Sequence, residues 1–375
     1  MNNQKVPICI ILGTKAELIK CMPLMESFQK HKIRYIFIHT GQHPLRKACE
    51  DFGVKKPDVT LSPEPEKSSK FNTKQSKAIK WSIGMTLKIR KKLKKLKGLK
   101  FVIYHGDTLS TACASFGSSK LLNPFKKYKN VHLEAGLRSV GEVNPLLEPF
   151  PEEIIRRIVT FFSDILIAPS EQSKLNLKKY KIKKILQLGN TVLDSVDIAY
   201  QMAQKRDLKP FDNKFCLISI HRHENLKSEE RMKKIVEILL SLKIPSYFPI
   251  HSNTKKQLIK FGLYDKLLEN ENIKIIEPMD YVSFIYQMSK CSLIICDGGS
   301  MQEESLIFQK PCIILRMNTE RPEGLKSNFQ YLSKLDVKKT KEKIKEYLSE
   351  DYKVEDFKNP YGKIGVSKKI VDVLK

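Results

Sequence analysis

Short runs rich in Val, Ile and Leu recur along this 375-residue chain, each followed by a stretch long enough for a helix. This alternation constrains the fold more than any other feature. Apolar runs at 6–12, 35–39, 101–104, 131–133, 165–168 and 185–188 read as strands of one series. A helical stretch over 192–205 and a polar, Pro-containing connection to residue 213 then separate it from a second series. That series comprises 215–220, 247–250, 273–276, 293–295 and 312–315. Strands this short and this apolar, spaced by helices, belong to parallel sheets covered on both faces. The length exceeds what one hydrophobic core organises. We therefore expect an α/β protein of two Rossmann-like doubly wound domains enclosing a central cleft. The first spans 1–200, completed by a C-terminal helix at 367–374, and the second spans 201–366.

Ligands of doubly wound sheets sit beyond the carboxyl ends of the strands, so polar residues should gather there. In the first series those ends carry Gly13-Thr14-Lys15, Gly41-Gln42-His43, His105-Gly106-Asp107-Thr108 and Glu134-Ala135-Gly136-Leu137-Arg138. In the second they carry His221-Arg222, His251-Ser252-Asn253, Glu277-Pro278, Asp297-Gly298-Gly299-Ser300 and Arg316. The 297–300 stretch is the most informative of these. Two glycines let backbone N–H groups approach a ligand, Ser300 adds a hydroxyl, and the helix expected from Met301 onward adds its N-terminus. Together they form an anion site that needs no basic side chain. Glu304, about one turn on, is placed to accept hydrogen bonds from the vicinal hydroxyls of a ribose. The plainer alternative is a tight turn followed by an acidic helix start.

Asp107, Glu134 and the pair Glu152-Glu153 supply carboxylates, and carboxylates sharing one site can divide the roles of acid and base. Each also has an ordinary reading. Asp107-Thr108 suits a helix cap, Glu134 can pair with Arg138, and Glu152-Glu153 suits the first turn of a helix after Pro151. Lys15, Lys20, Arg138, His221, Arg222 and Arg321 form a basic set able to bind a diphosphate and stabilise it as a leaving group. There is no Walker lysine motif and no acidic metal cage, which argues against phosphoryl transfer from ATP.

The formal net charge of +27 favours acidic partners, but lysine is spread through nearly every helical segment. Only 88–100 is dense, and its Leu87, Ile89, Leu93 and Leu96 give it the pattern of a helix with one buried and one solvated basic face. The spread of lysine argues against nucleic acid and membrane surfaces as partners, and no recognition helix, zinc-finger spacing or aromatic ribonucleoprotein pattern is present, so neither nucleic-acid binding nor membrane insertion is expected. Eight cysteines lie in apolar segments without a C-x-x-C pair and read as small buried hydrophobes in a reducing compartment. With no signal peptide and no run as long as a membrane span, the expectation is a soluble, cytoplasmic protein.

Taken in order, these motifs resemble the UDP-N-acetylglucosamine 2-epimerase family, whose fold is that of the GT-B glycosyltransferases. The resemblance extends nearly end to end. It also takes in Pro23, Pro151-Glu152-Glu153, Gly189-Asn190-Thr191, Asp280-Tyr281, Gln302-Glu303-Glu304 and Thr319-Glu320-Arg321-Pro322-Glu323. It implies UDP on the second domain, with Phe284 at the uracil, Glu304 at the ribose, and Gly298, Gly299, Ser300, His221 and Arg321 at the diphosphate. Lys15, Lys20, Asp107, Glu134 and Glu152 would surround the sugar. The implied reaction removes the C2 proton as UDP leaves C1, giving a 2-acetamidoglucal, and then adds UDP back with the proton on the opposite face. No metal, nicotinamide or other cofactor takes part. The partner implied is a UDP-sugar, with Gln42-His43 as a possible activator site, and we expect a homodimer. Hydrolysing relatives release free N-acetylmannosamine, and a GT-B glycosyltransferase would share the fold. The chain departs from the family pattern at Lys15 (usually arginine), Ala16-Glu17 (usually Pro-Glu), the Gly-Gly-Ser order at 298–300, His223 and Met279.

Overall fold

The computed structural model describes residues 6–64, 75–144 and 148–375. They form two compact units. The first comprises 1–138, 150–195 and 361–375, and the second 139–149 and 196–360.

The first unit is built on a seven-stranded parallel sheet. Its strands are β1 (Ile8–Leu12), β2 (Tyr35–His39), β3 (Val59–Thr60), β4 (Phe101–His105), β5 (Lys129–Leu133), β7 (Ile165–Ala168) and β8 (Lys184–Gln187). They lie in the order β3-β2-β1-β4-β5-β7-β8. The chain winds outward from β1 in one direction and from β4 in the other, so the order reverses between them. Loops leaving β1 and β4 diverge to opposite faces at such a switch point, and the gap between them is where ligands lodge. Ile10, Leu12, Val102, Ile103, Tyr104 and Leu166 are fully buried at the sheet centre, as helices on both faces require. The helix Val366–Leu374 returns to this unit and packs on Lys15–Lys30. Asp194 fixes its start by accepting bonds from the backbone N–H of Gly365 (2.6 Å), Val366 (3.3 Å) and Ser367 (2.6 Å).

In the second unit the strands are β9 (Cys216–Ser219), β10 (Ser246–Pro249), β11 (Ile273–Ile276), β12 (Leu293–Cys296), β13 (Cys312–Ile314) and β15 (Gln330–Leu332). They form a six-stranded parallel sheet in the order β11-β10-β9-β12-β13-β15, again with a switch point, here between β9 and β12. A separate antiparallel pair joins β6 (Val140–Gly141) to β14 (Asn318–Thr319). The strand Gln330–Leu332 has no apolar run, which is why the sequence did not show it.

One helix differs from its expected form. The helix Gln75–Leu93 ends before the lysine run does, and Leu96 lies in the turn beyond it. Met85, Ile89 and Leu93 carry the buried face, while Leu87 is exposed. Two residues along a helix are about 200° apart, so Leu87 and Ile89 cannot share a face. All eight cysteines are buried with free thiols. Among the described residues no helix is long and apolar enough to cross a membrane.

Candidate functional site

In the first unit the loops after β1, β2, β4 and β5 are tied together by buried polar contacts. Thr14 caps the helix Lys15–Lys30 and forms a reciprocal capping box with Glu17. Glu17 does more than cap. Its Oε2 accepts from the N–H groups of Gly13 (2.9 Å) and Thr14 (2.7 Å) and from the Thr14 hydroxyl (2.9 Å). Its Oε1 accepts from the hydroxyls of Thr108 (2.8 Å) and Thr111 (2.7 Å). Burial raises the pKa of this carboxyl, and the hydroxyl and amide donors oppose the rise. Glu17 thus fastens the turn that bears Lys15 to the turn that bears Asp107. The sequence showed it only as half of a departure from a family motif, because a carboxylate gathering donors from two distant turns leaves no local signal. Gln42 makes a similar tie, its Oε1 accepting from the Ser110 N–H (3.3 Å) and hydroxyl (2.6 Å). Neighbouring His43 is largely buried, which lowers its pKa, and its N–H donates to Gly13 O (2.8 Å).

Glu134 sits at φ 63°, a left-handed conformation that a non-glycine residue holds only where its surroundings impose it. Its carboxylate pairs with Lys20, both side chains being buried, and accepts from Asn190 Nδ2 (3.0 Å). Its partner is therefore Lys20 and not Arg138. Arg138 turns instead toward Glu153 (3.7 Å). Asp107 faces Arg156, whose Nε and Nη2 both reach Oδ2 at 2.7 Å. Thr108, not Asp107, is the cap of the helix Leu109–Gly117. Glu152 and Glu153 open the helix Glu152–Phe162. Glu153 is buried among Arg156 (3.3 Å) and Arg157 (3.1 Å), while Glu152 stays half-buried. Burial depresses both His105 and His132 to about 4, so each is a neutral imidazole at ordinary pH. His132 Nε2 lies 2.8 Å from Gly106 O, which steadies the turn before Asp107. Lys15, the first residue of the helix that Thr14 caps, is exposed.

The second unit gathers the other expected residues around β9 and β12. Buried Asp297 accepts from the N–H groups of His221 and Arg222 (both 2.9 Å) and from Asn225 Nδ2 (3.1 Å), joining the two loops. The helix Gly299–Phe308 begins at the glycine pair, two residues earlier than expected, with no side chain capping its first N–H groups. A Cβ on Gly298 would lie 3.2 Å from His221 Cε1, and one on Gly299 would lie 2.5 Å from Arg321 Nη1. These glycines serve close approach and not a special φ, since Gly298 is extended at φ −74°. An imidazole and a guanidinium thus flank the positive end of a helix, with Ser300 on its first turn. Arg321 is buried and aimed by Glu303 (2.8 Å) and Glu320 (2.5 Å). Arg316 in turn holds Glu320 at 2.9 Å. Glu304 is buried and accepts from the Tyr281 hydroxyl (3.0 Å), whose pKa burial and the nearby carboxylate push well up. Phe284 lies one turn beyond Tyr281 on the helix Tyr281–Lys290, which packs on Gly299–Phe308. Among the described residues no three His, Cys, Asp or Glu side chains are grouped to hold a metal ion.

Two doubly wound units, one with a glycine turn and helix N-terminus set between an imidazole and a guanidinium, define a protein of the GT-B type. The comparisons with known proteins agree. A family model described as UDP-N-acetylglucosamine 2-epimerase matches residues 26–375, and the chain belongs to that family. The UDP-N-acetylglucosamine 2-epimerase of Methanocaldococcus jannaschii is 34% identical, with 98% of each chain covered. A crystal structure of the M. jannaschii enzyme in complex with UDP-GlcNAc and UDP superposes with TM-score 0.83 at 32% identity, covering 98% of this chain and 99% of that one. A Pseudomonas aeruginosa relative named UDP-2,3-diacetamido-2,3-dideoxy-D-glucuronate 2-epimerase is 30% identical, with 84% of each chain covered.

Proposed function

We propose that the chain catalyses C2 epimerisation of a UDP-linked 2-acetamido sugar, most simply UDP-N-acetylglucosamine to UDP-N-acetylmannosamine, without releasing free sugar. The observation that carries this reading is the end-to-end match to epimerases, one of them solved with UDP-GlcNAc and UDP. The P. aeruginosa relative acts, by its name, on a different UDP-linked acetamido sugar, but its match covers less of the chain.

In this reading the second unit holds the nucleotide. Glu304 accepts from the ribose hydroxyls, Phe284 lies against the uracil, and the diphosphate sits on Gly298, Gly299 and Ser300 between His221 and Arg321. As the C1–O bond breaks, its electron pair goes to the β-phosphate, where these donors and the helix N-terminus stabilise the developing charge. The C2–H electrons form the C1=C2 double bond of a 2-acetamidoglucal, and a carboxylate takes the proton. Re-addition of the UDP oxygen at C1, with a proton delivered to the other face of C2, completes the exchange. Two groups must therefore flank the ring, and Asp107, Glu134 and Glu152 are our candidates, with Lys15, Lys20 and Arg138 as sugar-side cations. Arg156 fixes the orientation of Asp107, and Lys20 and Asn190 fix that of Glu134.

We also propose a homodimer. Its support is an exposed apolar face made by Ile79, Ile83 and Leu87 on one helix and Ile154, Ile158 and Phe161 on another, both packed against the helix Leu109–Gly117. Product analysis tests the activity. Incubation with UDP-N-acetylglucosamine should yield UDP-N-acetylmannosamine. Free N-acetylmannosamine with stoichiometric UDP would instead assign the hydrolysing reaction, and no turnover without a sugar acceptor would assign a glycosyltransferase.

A further inference from the structure

The lysine run that the sequence singled out takes no part in the proposed chemistry, and the fold places it beside other lysines that are distant in sequence. Strands β4, β5, β7 and β8 are parallel neighbours, so their amino-terminal ends share one edge of the first sheet. The segments 94–100, 120–129 and 178–184 lead into β4, β5 and β8 at that edge. Together they hold thirteen lysines and no acidic residue. Between them stands Asp164, at the start of β7, and it is engaged by Lys126 at 2.9 Å. Lys183 Nζ donates to Phe161 O (2.8 Å) in the last helical turn before Asp164, so the segments 120–129 and 178–184 both reach the start of β7.

The same loops carry apolar tips. Phe125 is 94% exposed, Ile182 is 98% exposed and Leu121 is 69% exposed. Single exposed hydrophobic residues are ordinary. Three on adjoining loops, each next to at least one lysine in sequence, are not. Phe125 also lines a pocket of about 540 Å³ together with Leu93, Leu96, Leu99, Leu122 and Lys94.

We propose that this edge is a docking surface for an anionic phospholipid membrane, on which the protein rests peripherally. Polybasic segments and inserted apolar side chains are the two signals that together give stable surface attachment. Nucleic acid would make use of the lysines but not of an aliphatic tip such as Ile182. Docking here also leaves the opposite, carboxyl-terminal edge of the sheet, with Asp107 and Glu134, directed away from the bilayer. The inference stands apart from the proposed reaction, since none of its residues belongs to the candidate site.

Sedimentation of the full-length protein with vesicles tests it. Vesicles of phosphatidylcholine with about 30% phosphatidylglycerol should bind the protein at about 0.05 M salt and less at about 0.3 M, where surface charge is screened. Vesicles of phosphatidylcholine alone should not. With each lysine worth about a fivefold change in binding, Lys127→Glu/Lys129→Glu/Lys181→Glu should weaken attachment by about a hundredfold or more. Phe125→Ser/Ile182→Ser should weaken it by about tenfold while leaving the salt dependence in place. Both variants should keep the parent's thermal midpoint, which separates lost docking from lost folding. The proposal is overturned if anionic vesicles fail to bind the protein, or if either variant binds as tightly as the parent. Retention by polyuridylate or heparin without vesicle binding overturns it too.

Discussion

The buried pair Lys20–Glu134 sets the hardest constraint at the residue scale, because its stabilising and its chemical roles have to be separated. Removing one member of a buried pair leaves the other charge uncompensated, at about 3–5 kcal/mol. Glu134→Gln should therefore lower both turnover and thermal stability. Lys20→Met combined with Glu134→Gln should recover much of the stability and none of the turnover. If the double variant regained activity, Glu134 would be a structural partner only. Asp107→Asn and Glu152→Gln should each lower turnover by about two orders of magnitude or more, the scale of general acid–base catalysis. UDP affinity, measured by calorimetry, should barely change in these two. Glu304→Gln should do the reverse and weaken UDP by roughly tenfold to a hundredfold, as loss of a charge-assisted hydrogen bond does. Unchanged UDP affinity in that variant would remove the nucleotide from the place we give it.

At the scale of elements, the turn between β12 and the helix Gly299–Phe308 works by absence of side chains. A methyl group on Gly299 would sit 2.5 Å from Arg321 Nη1. Gly299→Ala should therefore displace the guanidinium and weaken UDP binding, with little effect on the unfolding midpoint. The closing helix Val366–Leu374 depends on Asp194, which accepts three of its first N–H groups. Asp194→Ala should lower stability to urea by about 1–3 kcal/mol, on the scale of a lost cap with several bonds. Most strands were legible from apolar runs because buried parallel strands need no polar face. The two-residue strands β3, β6 and β14 were not, since their pairing comes from tertiary contacts. Asn318 illustrates why, as it bonds Val143 N (3.0 Å) and O (2.8 Å) across 175 positions of sequence. Asp107, Glu134 and His221 were visible as polar residues at strand ends, and Gly298 as half of a glycine pair. Arg156, which pairs with Asp107, was not, and neither the bond of Asn190 to Glu134 nor the bridging role of Glu17 was, because a second layer of contacts follows from packing and has no spacing of its own.

For the whole molecule, His105 and His132 make stability depend on pH. Each has an ordinary pKa of 6.5 that burial lowers to about 4 in the fold. The unfolded chain thus binds more protons between these values, and stability rises with pH through that window. The contribution is complete above about 6.5 and is lost progressively as pH falls toward 4. Thermal midpoints measured from pH 7.5 down to 4 should fall accordingly, and His132→Gln should flatten part of the decline. The central claim is proton exchange at C2 with departure and return of UDP. Its most direct measurement is nuclear magnetic resonance of UDP-N-acetylglucosamine incubated with the protein in heavy water. Our account predicts deuterium at C2 of a UDP-linked N-acetylmannosamine product, and none with Asp107→Asn over the same interval. A UDP-linked epimer that retained its original C2 hydrogen, or no C2 exchange at all under conditions where UDP-N-acetylglucosamine binds, would contradict it.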